Sequence, residues 1–409
     1  MPAVAGGPRG LKRLWGAVAT SSLGDGAYLA TAPLLAAVIS ADPVAVSLVS
    51  AASLAPWLVI GPFAGALVDR WPRRAVMITA DLLRMVCLLV LATLTIAGLC
   101  SIPALAVTGF ILTSGQSFHE AASQAIIPSL TGDDRTALAA ANSRIVTAES
   151  VSVGFVGPPI GSALFTVAPW LPIAADAATF AGSAGLLRGI PPLPRPEHPG
   201  SGVIASLNQA VRWLLGQRQL LGLAVFIAGG NLAATTAMAT FVLHAREDLG
   251  VSTWSYGFLL VAQALGATAG GWLATTVSRR LNFSTMLVAA QLGRAAAFLA
   301  LAVTRSPYLA AACMTIIGIT STISSVAAAS TRHQLVPGDM LGRVVSVFRL
   351  VGNGTAPFGA ALGGVIASRY GLSMPIVVGG VVTLAVAAVP LLPPFRRPAP
   401  EPEHVGVVR

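Results

Sequence analysis

Twelve apolar stretches, each long enough to cross a bilayer, leave this chain of 409 residues few folds to choose from. They cover roughly residues 14–40, 44–68, 75–99, 103–129, 137–165, 169–187, 219–244, 252–277, 283–304, 307–331, 344–367 and 372–392. A hydrocarbon core of about 30 Å takes about 20 apolar residues of helix. The linkers between most stretches are short, so neighbouring spans must run antiparallel. Strands of about 10 residues with alternating hydrophobicity, the mark of an outer-membrane barrel, are absent from the sequence. The expected fold is therefore an all-α membrane protein with twelve transmembrane helices.

Charge supports this and excludes another class. The net charge of +10 could suggest nucleic acid, but only 10% of residues are charged and their distribution is topological. Of 25 basic residues, 18 fall in the termini and the even-numbered loops, three in the opposite loops (Arg246, Arg305, Arg369) and four inside spans. The positive-inside rule then puts both termini in the cytoplasm of a multi-pass cell inner membrane or plasma membrane protein. The excess charge meets anionic headgroups, and no nucleic-acid partner is expected. Arg9, Lys12 and Arg13 precede an apolar run too long for a signal peptide, so span 1 reads as an uncleaved helix. Cys87, Cys100 and Cys313 suggest neither a disulfide framework nor a metal site. No Walker loop, HExxH or dinucleotide fingerprint is present, so neither enzymatic activity nor a cofactor is expected.

Between spans 2 and 3 lies the sequence GALVDRWPRR, Gly65 to Arg74, with Asp69, Arg70, Arg73 and Arg74 in a short turn. So charged a turn belongs at a water-facing surface. A worn copy recurs 206 residues later, with Gly271, Thr275, Thr276, Arg279 and Arg280 in register. DLLR (Asp81–Arg84) is echoed by QLGR (Gln291–Arg294), and Arg144 of span 5 by Arg349 of span 11. The chain thus reads as two six-helix halves, 1–187 and 219–393, a duplicated plan common among transporters. Residues 188–218 form the join, with a proline-rich segment over 190–200 and an amphipathic helix carrying Leu207, Val211, Leu214 and Leu215 on one face. Residues 394–409 read as a disordered tail.

The loop pattern G-x-x-x-D-R-x-x-R-R between the second and third of twelve helices resembles the signature of the major facilitator superfamily, with Pro72 where that family usually has glycine. VGPPIG in span 5, with Gly154, Gly157, Pro158 and Gly161, resembles the G-P-x-x-G motif of its antiporters. LGDGAYLATAPLL, DLLR and LNQAVRWLLGQRQL resemble the drug:proton antiporter branch with macrolide exporters and the enterobactin exporter. The resemblance covers essentially the whole chain. It implies two pseudo-symmetric six-helix bundles that alternate access to a central site. It also implies that Gly65, Asp69, Arg70, Arg73 and Arg74 form a conformational gate whose partner lies near span 11. On the residues alone, Asp69 can bond helix amides or an arginine, or the arginines can simply set topology.

Ionisable residues inside spans are costly and mark function by default. Asp25 lies near mid-membrane in span 1 and Glu149 at comparable depth in span 5; each can carry a proton or serve as a structural hydrogen-bonding acid. Glu120 and Arg144 flank the span 4–5 turn symmetrically and are expected to pair. His119 can titrate near neutral pH or be structural, and Asp81 and Arg84 should neutralise each other. Asp176 can face the outer half of a cavity. Arg349 has no carboxylate at the mirrored position and can attract an anionic substrate or a neighbouring acid. The favoured reading is proton-driven export of a hydrophobic or amphipathic small molecule by a monomer. The alternatives are an uptake symporter or facilitator of the same fold and a transport-dead membrane sensor. The partners expected are substrate, protons and membrane lipid.

Overall fold

A computed structural model describes residues 7–68, 70–132, 134–191 and 203–392. Asp69, the proline-rich 192–200 segment and the 394–409 tail lie outside the described residues. Helix occupies each of the twelve apolar stretches. Nine of the described helices are long and apolar enough by themselves to cross a membrane. Span 2 falls short because it breaks at Ile60 into Pro43–Val59 and Gly61–Val68. Spans 4 (Ile102–Thr131) and 6 (Leu171–Arg188) are helical over the needed length but carry Gln116, His119 and Glu120, or Asp176 and Arg188. Their polar faces turn to the bundle interior, where lipid does not set the composition.

Span ends follow local chemistry. Gly132, at φ 66°, ends span 4 in a left-handed conformation that other residues disfavour. Two residues on, the Asp134 carboxylate accepts bonds from the amides of Thr136 at 2.8 Å and Ala137 at 3.2 Å, capping span 5. The Thr136 hydroxyl and these amides hold its carboxyl below the usual range.

Span 5 is not one continuous α-helix. It runs α-helical over Arg135–Val151, makes a π-helical turn over Ser152–Val156 and resumes over Gly157–Val167. Span 11 is likewise broken, at Thr355, between Gly338–Gly354 and Ala356–Tyr370. These broken helices build the seams. A Cβ on Gly157 would lie 2.5 Å from the Gly26 Cα, and one on Gly161 would lie 2.4 Å from the Ala27 carbonyl oxygen, so span 5 packs backbone to backbone on span 1. Gly359 and Gly363 of span 11 meet the Leu232 and Thr236 carbonyls of span 7 in the same way.

Spans 2 and 11, and spans 5 and 8, carry the contact between the halves. The apolar core is unequal along the membrane normal. On the face away from the termini, one cluster draws on both halves, from Leu34, Val49 and Phe165 to Phe241, Leu259 and Ile376. Toward the face carrying the Arg70–Arg74 turn, here the basic face, the core splits in two. One cluster belongs to the first half (Leu14, Met77, Ile126, Ile145, Leu187) and the other to the linker helix and second half (Leu214, Leu223, Leu287, Phe348). The halves share one apolar core on one side and keep separate cores on the other.

The linker helix, Val203–Leu215, departs from the expected face. Ala210 and Leu214 are buried, whereas Val211 and Leu215 are exposed, and the Leu207 side chain lies outside the described residues. Small Ala210 fits close against span 11, and Arg343 there donates to the Gln209 Oε1 at 2.7 Å.

Candidate functional site

Each half holds a polar cavity near mid-membrane. In the first half, spans 1, 3, 4 and 5 enclose about 270 Å³ lined by Asp25, Arg84, His119, Glu120 and Glu149, with Ser21 and Gln116 among them. Arg84 is the organising group, 1% exposed. It can sit there because Gly115 of span 4 leaves room: a Cβ at that position would lie 2.7 Å from the arginine chain. Its guanidinium pairs with the Asp25 carboxylate, donates to the Ser21 hydroxyl at 3.3 Å and lies 3.9 Å from the centre of the Phe180 ring. A charge taken out of water needs such partners.

Asp81 differs from expectation. Its oxygen lies 3.9 Å from Arg84, at the edge of ion-pair range, while the Ser183 hydroxyl donates to it at 2.6 Å and the His119 ring nitrogen stands 3.6 Å away. Arg84 therefore answers mainly to Asp25, 59 residues away in sequence, because its long side chain reaches across to span 1. The cluster places two carboxylates, one guanidinium and one imidazole within a single network. Asp25 is its member with partial access to the cavity, at 19% side-chain exposure.

Glu149 is half-buried on the cavity wall, with no ion pair among the described residues. The expected Glu120–Arg144 pair does not form. Glu120 instead meets Arg349 of the second half at 3.4 Å, and Arg144 lies 5.0 Å from the Trp15 ring. Symmetric depth in a hairpin does not make two side chains face each other; here the helix faces turn Glu120 inward and Arg144 outward. Asp176 is 1% exposed and does not line the cavity. It packs on the Gly24 backbone and accepts from Thr179 at 3.3 Å.

The second half encloses a matching cavity of about 310 Å³, lined by Asn231, Arg294, Ser321, Arg332 and Arg349 among others. Among the described residues, no carboxylate lines it. Sequence reasoning did not single out Asn231 or Arg332 and treated Arg294 only as a repeat mark; the repeat register held the signal for Asn231 and Arg294.

At the basic face, Gly65 is exposed, and a Cβ there would meet nothing within 4 Å. Arg70 is exposed without an ion-pair partner among the described residues. Arg73 donates to the Ala125 carbonyl at 2.7 Å, and Arg74 to the Leu187 and Arg188 carbonyls at 3.1 and 2.7 Å. Arg74 binds carbonyls at the end of span 6, where the helix terminus leaves acceptors unpaired, and Arg73 binds a carbonyl within the last two turns of span 4. Of the motif in span 5, Gly157 and Gly161 face span 1, beside Asp25. Gly154 and Pro158 face span 8: a Cβ on Gly154 would come within 2.9 Å of Ala264, and one on Gly257 within 2.5 Å of the Pro158 carbonyl.

Residues 9–402 match the profile of a major facilitator family described as transmembrane secretion effector. The chain belongs to this family. Among curated relatives of this transporter, the enterobactin exporter EntS of Escherichia coli is 26% identical over 339 residues, covering 79% of this chain and 78% of that protein. The uncharacterized MFS-type transporter Rv0037c of Mycobacterium tuberculosis is 30% identical over 157 residues, 37% of this chain; the match spans only 33% of that protein's length. A bacterial homologue of the iron transporter ferroportin, solved in an inward-facing state, has a TM-score of 0.75 at 15% identity, covering 93% of this chain and 97% of its own. At that identity the likeness shows the fold alone.

Proposed function

We propose that this transporter is a monomeric secondary exporter of a hydrophobic or amphipathic small molecule, driven by protons moving the other way. The supporting observation is the Asp25–Arg84 pair at the wall of a cavity that also holds Glu149 and His119. A proton arriving on Asp25 cancels the charge that holds Arg84. The guanidinium then turns to Asp81, and the span 1–span 5 seam beside Asp25 feels the change directly. A rocking transition needs only a differential free energy of this kind between its two states.

The positive-inside rule makes the basic face the cytoplasmic one, and substrate loads from that side. Asp69, at the end of span 2, is the member of the loop motif that we assign to gating; Arg73 and Arg74 hold the first half together. The named activity of the enterobactin exporter relative favours the outward direction.

Inverted vesicles with an imposed proton gradient test the reading. Wild type should accumulate a lipophilic dye or drug, and Asp25→Asn should not. Accumulation seen only in right-side-out cells would reverse the direction and favour an uptake symporter. Equal transport by Asp25→Asn at equal expression would remove Asp25 from the coupling.

A further inference from the structure

The two cavities sit on repeat-related positions and differ most in their counter-charge. An offset of 206 residues carries Gly24 and Asp25 onto Gly230 and Asn231, and one of 210 carries Asp81 and Arg84 onto Gln291 and Arg294. Both acids of the first half thus have amides at their counterparts, while the arginine is kept. Arg294 is 6% exposed, and its polar contact is a 3.4 Å bond to the Ser321 hydroxyl. Its Nη2 reaches span 7 over the bare backbone of Gly230, where a Cβ would lie 2.9 Å away. Its Nε has no partner, and neither end of the fully buried Gln291 amide has one. Arg332, 5.1 Å from the centre of the Phe348 ring, adds further positive charge to the same cavity, and Arg349, paired with Glu120, also lines it.

A buried guanidinium without an anion is an unfinished interaction. We propose that the second-half cavity is an anion site in which Arg294 binds the carboxylate of an amphipathic small molecule. The planar guanidinium matches a carboxylate with two parallel bonds, and the Gln291 amide supplies a further donor beside it. Arg332 and Arg349 draw the anion in, and the apolar walls at Phe226, Ile227 and Phe348 take the rest of the molecule. This assignment rests on the transporter reading and names its substrate class, a lipophilic carboxylic acid carried as the anion.

Equilibrium dialysis of the purified full chain with naphthoate and its neutral analogue naphthylmethanol tests it. Charge-assisted bonds to one buried guanidinium should make naphthoate bind about tenfold more tightly or better. Arg294→Gln should bring the two probes to equal affinity. So should Asn231→Asp, which installs the counter-charge that Asp25 provides in the first half and leaves the guanidinium in place should Arg294→Gln fold poorly. Equal affinity in wild type, or a preference for naphthoate that survives in either folded variant, would overturn the site. Binding is read without a gradient. Naphthoate binding by a chain that moves nothing would therefore sink the transport reading and leave the site standing, and export of neutral compounds with no naphthoate preference would do the reverse.

Discussion

The first half of this transporter neutralises its buried arginine and the second half does not. Arg84 has Asp25 beside it, a second carboxylate at 3.9 Å and an aromatic ring under its face; Arg294 has one hydroxyl and an amide side chain with no bonds of its own. The two sites share the arginine position and the glycine seams that pack span 5 on span 1 and span 11 on span 7. The lesson is that a duplicated scaffold can divide labour by changing acids to amides. One half keeps a buried ion pair, and the other keeps a buried arginine with no carboxylate beside it among the described residues.

The largest expected effect tests that contrast on stability. Arg84→Gln strands the buried Asp81 and the partly buried Asp25 and should lower the unfolding free energy by about 3–5 kcal/mol. Arg294→Gln removes a cation that has no ion pair and should cost about 1 kcal/mol or less. Thermal melts of both variants in the same detergent decide it; equal losses would break the comparison. Next in size is the seam. Gly157→Val forces side-chain atoms into the Gly26 backbone and should destabilise by about 1–3 kcal/mol and abolish flux. Gly65→Ala, with nothing within 4 Å of the new Cβ, should leave both unchanged. Smallest is the bridge between halves: Glu120 and Arg349 are partly exposed, at 28% and 59%, so a double-mutant cycle on Glu120→Gln and Arg349→Gln should return a coupling below about 1 kcal/mol. A larger coupling would mean that this contact, rather than the shared apolar core on the opposite face, holds the halves together.

The spans were legible because lipid demands unbroken apolar runs, and the deviations fall where helices face the interior instead. Spans 4 and 6 dilute their hydrophobicity with Glu120, His119 and Asp176, so composition underrates them. The acids of the site could be picked out one at a time, but their pairing could not. Asp25 and Arg84 meet because span 3 packs Arg84 over Gly115, a tertiary fact without a local trace. Glu120 and Arg144 share a hairpin and a depth, yet helix rotation sends one to Arg349 and the other to Trp15. In the linker helix side-chain size does not track burial: Ala210 is inside and Leu215 outside.

The π-turn at Ser152–Val156 has a geometric consequence. A π-turn takes up one additional residue, so everything beyond it is set back by about 100° from where an unbroken α-helix of the same sequence would put it. Glu149 below the turn and Gly157 above it are thereby phased independently, so the wall of the cavity and the contact with span 1 need not share one face of span 5. Straightening the turn without removing a residue would put the two out of phase, whereas deleting one residue along with it would restore an ideal helix and keep both faces. The irregular turn acts as the clocking of the shaft, and straightening it alone would be the defect.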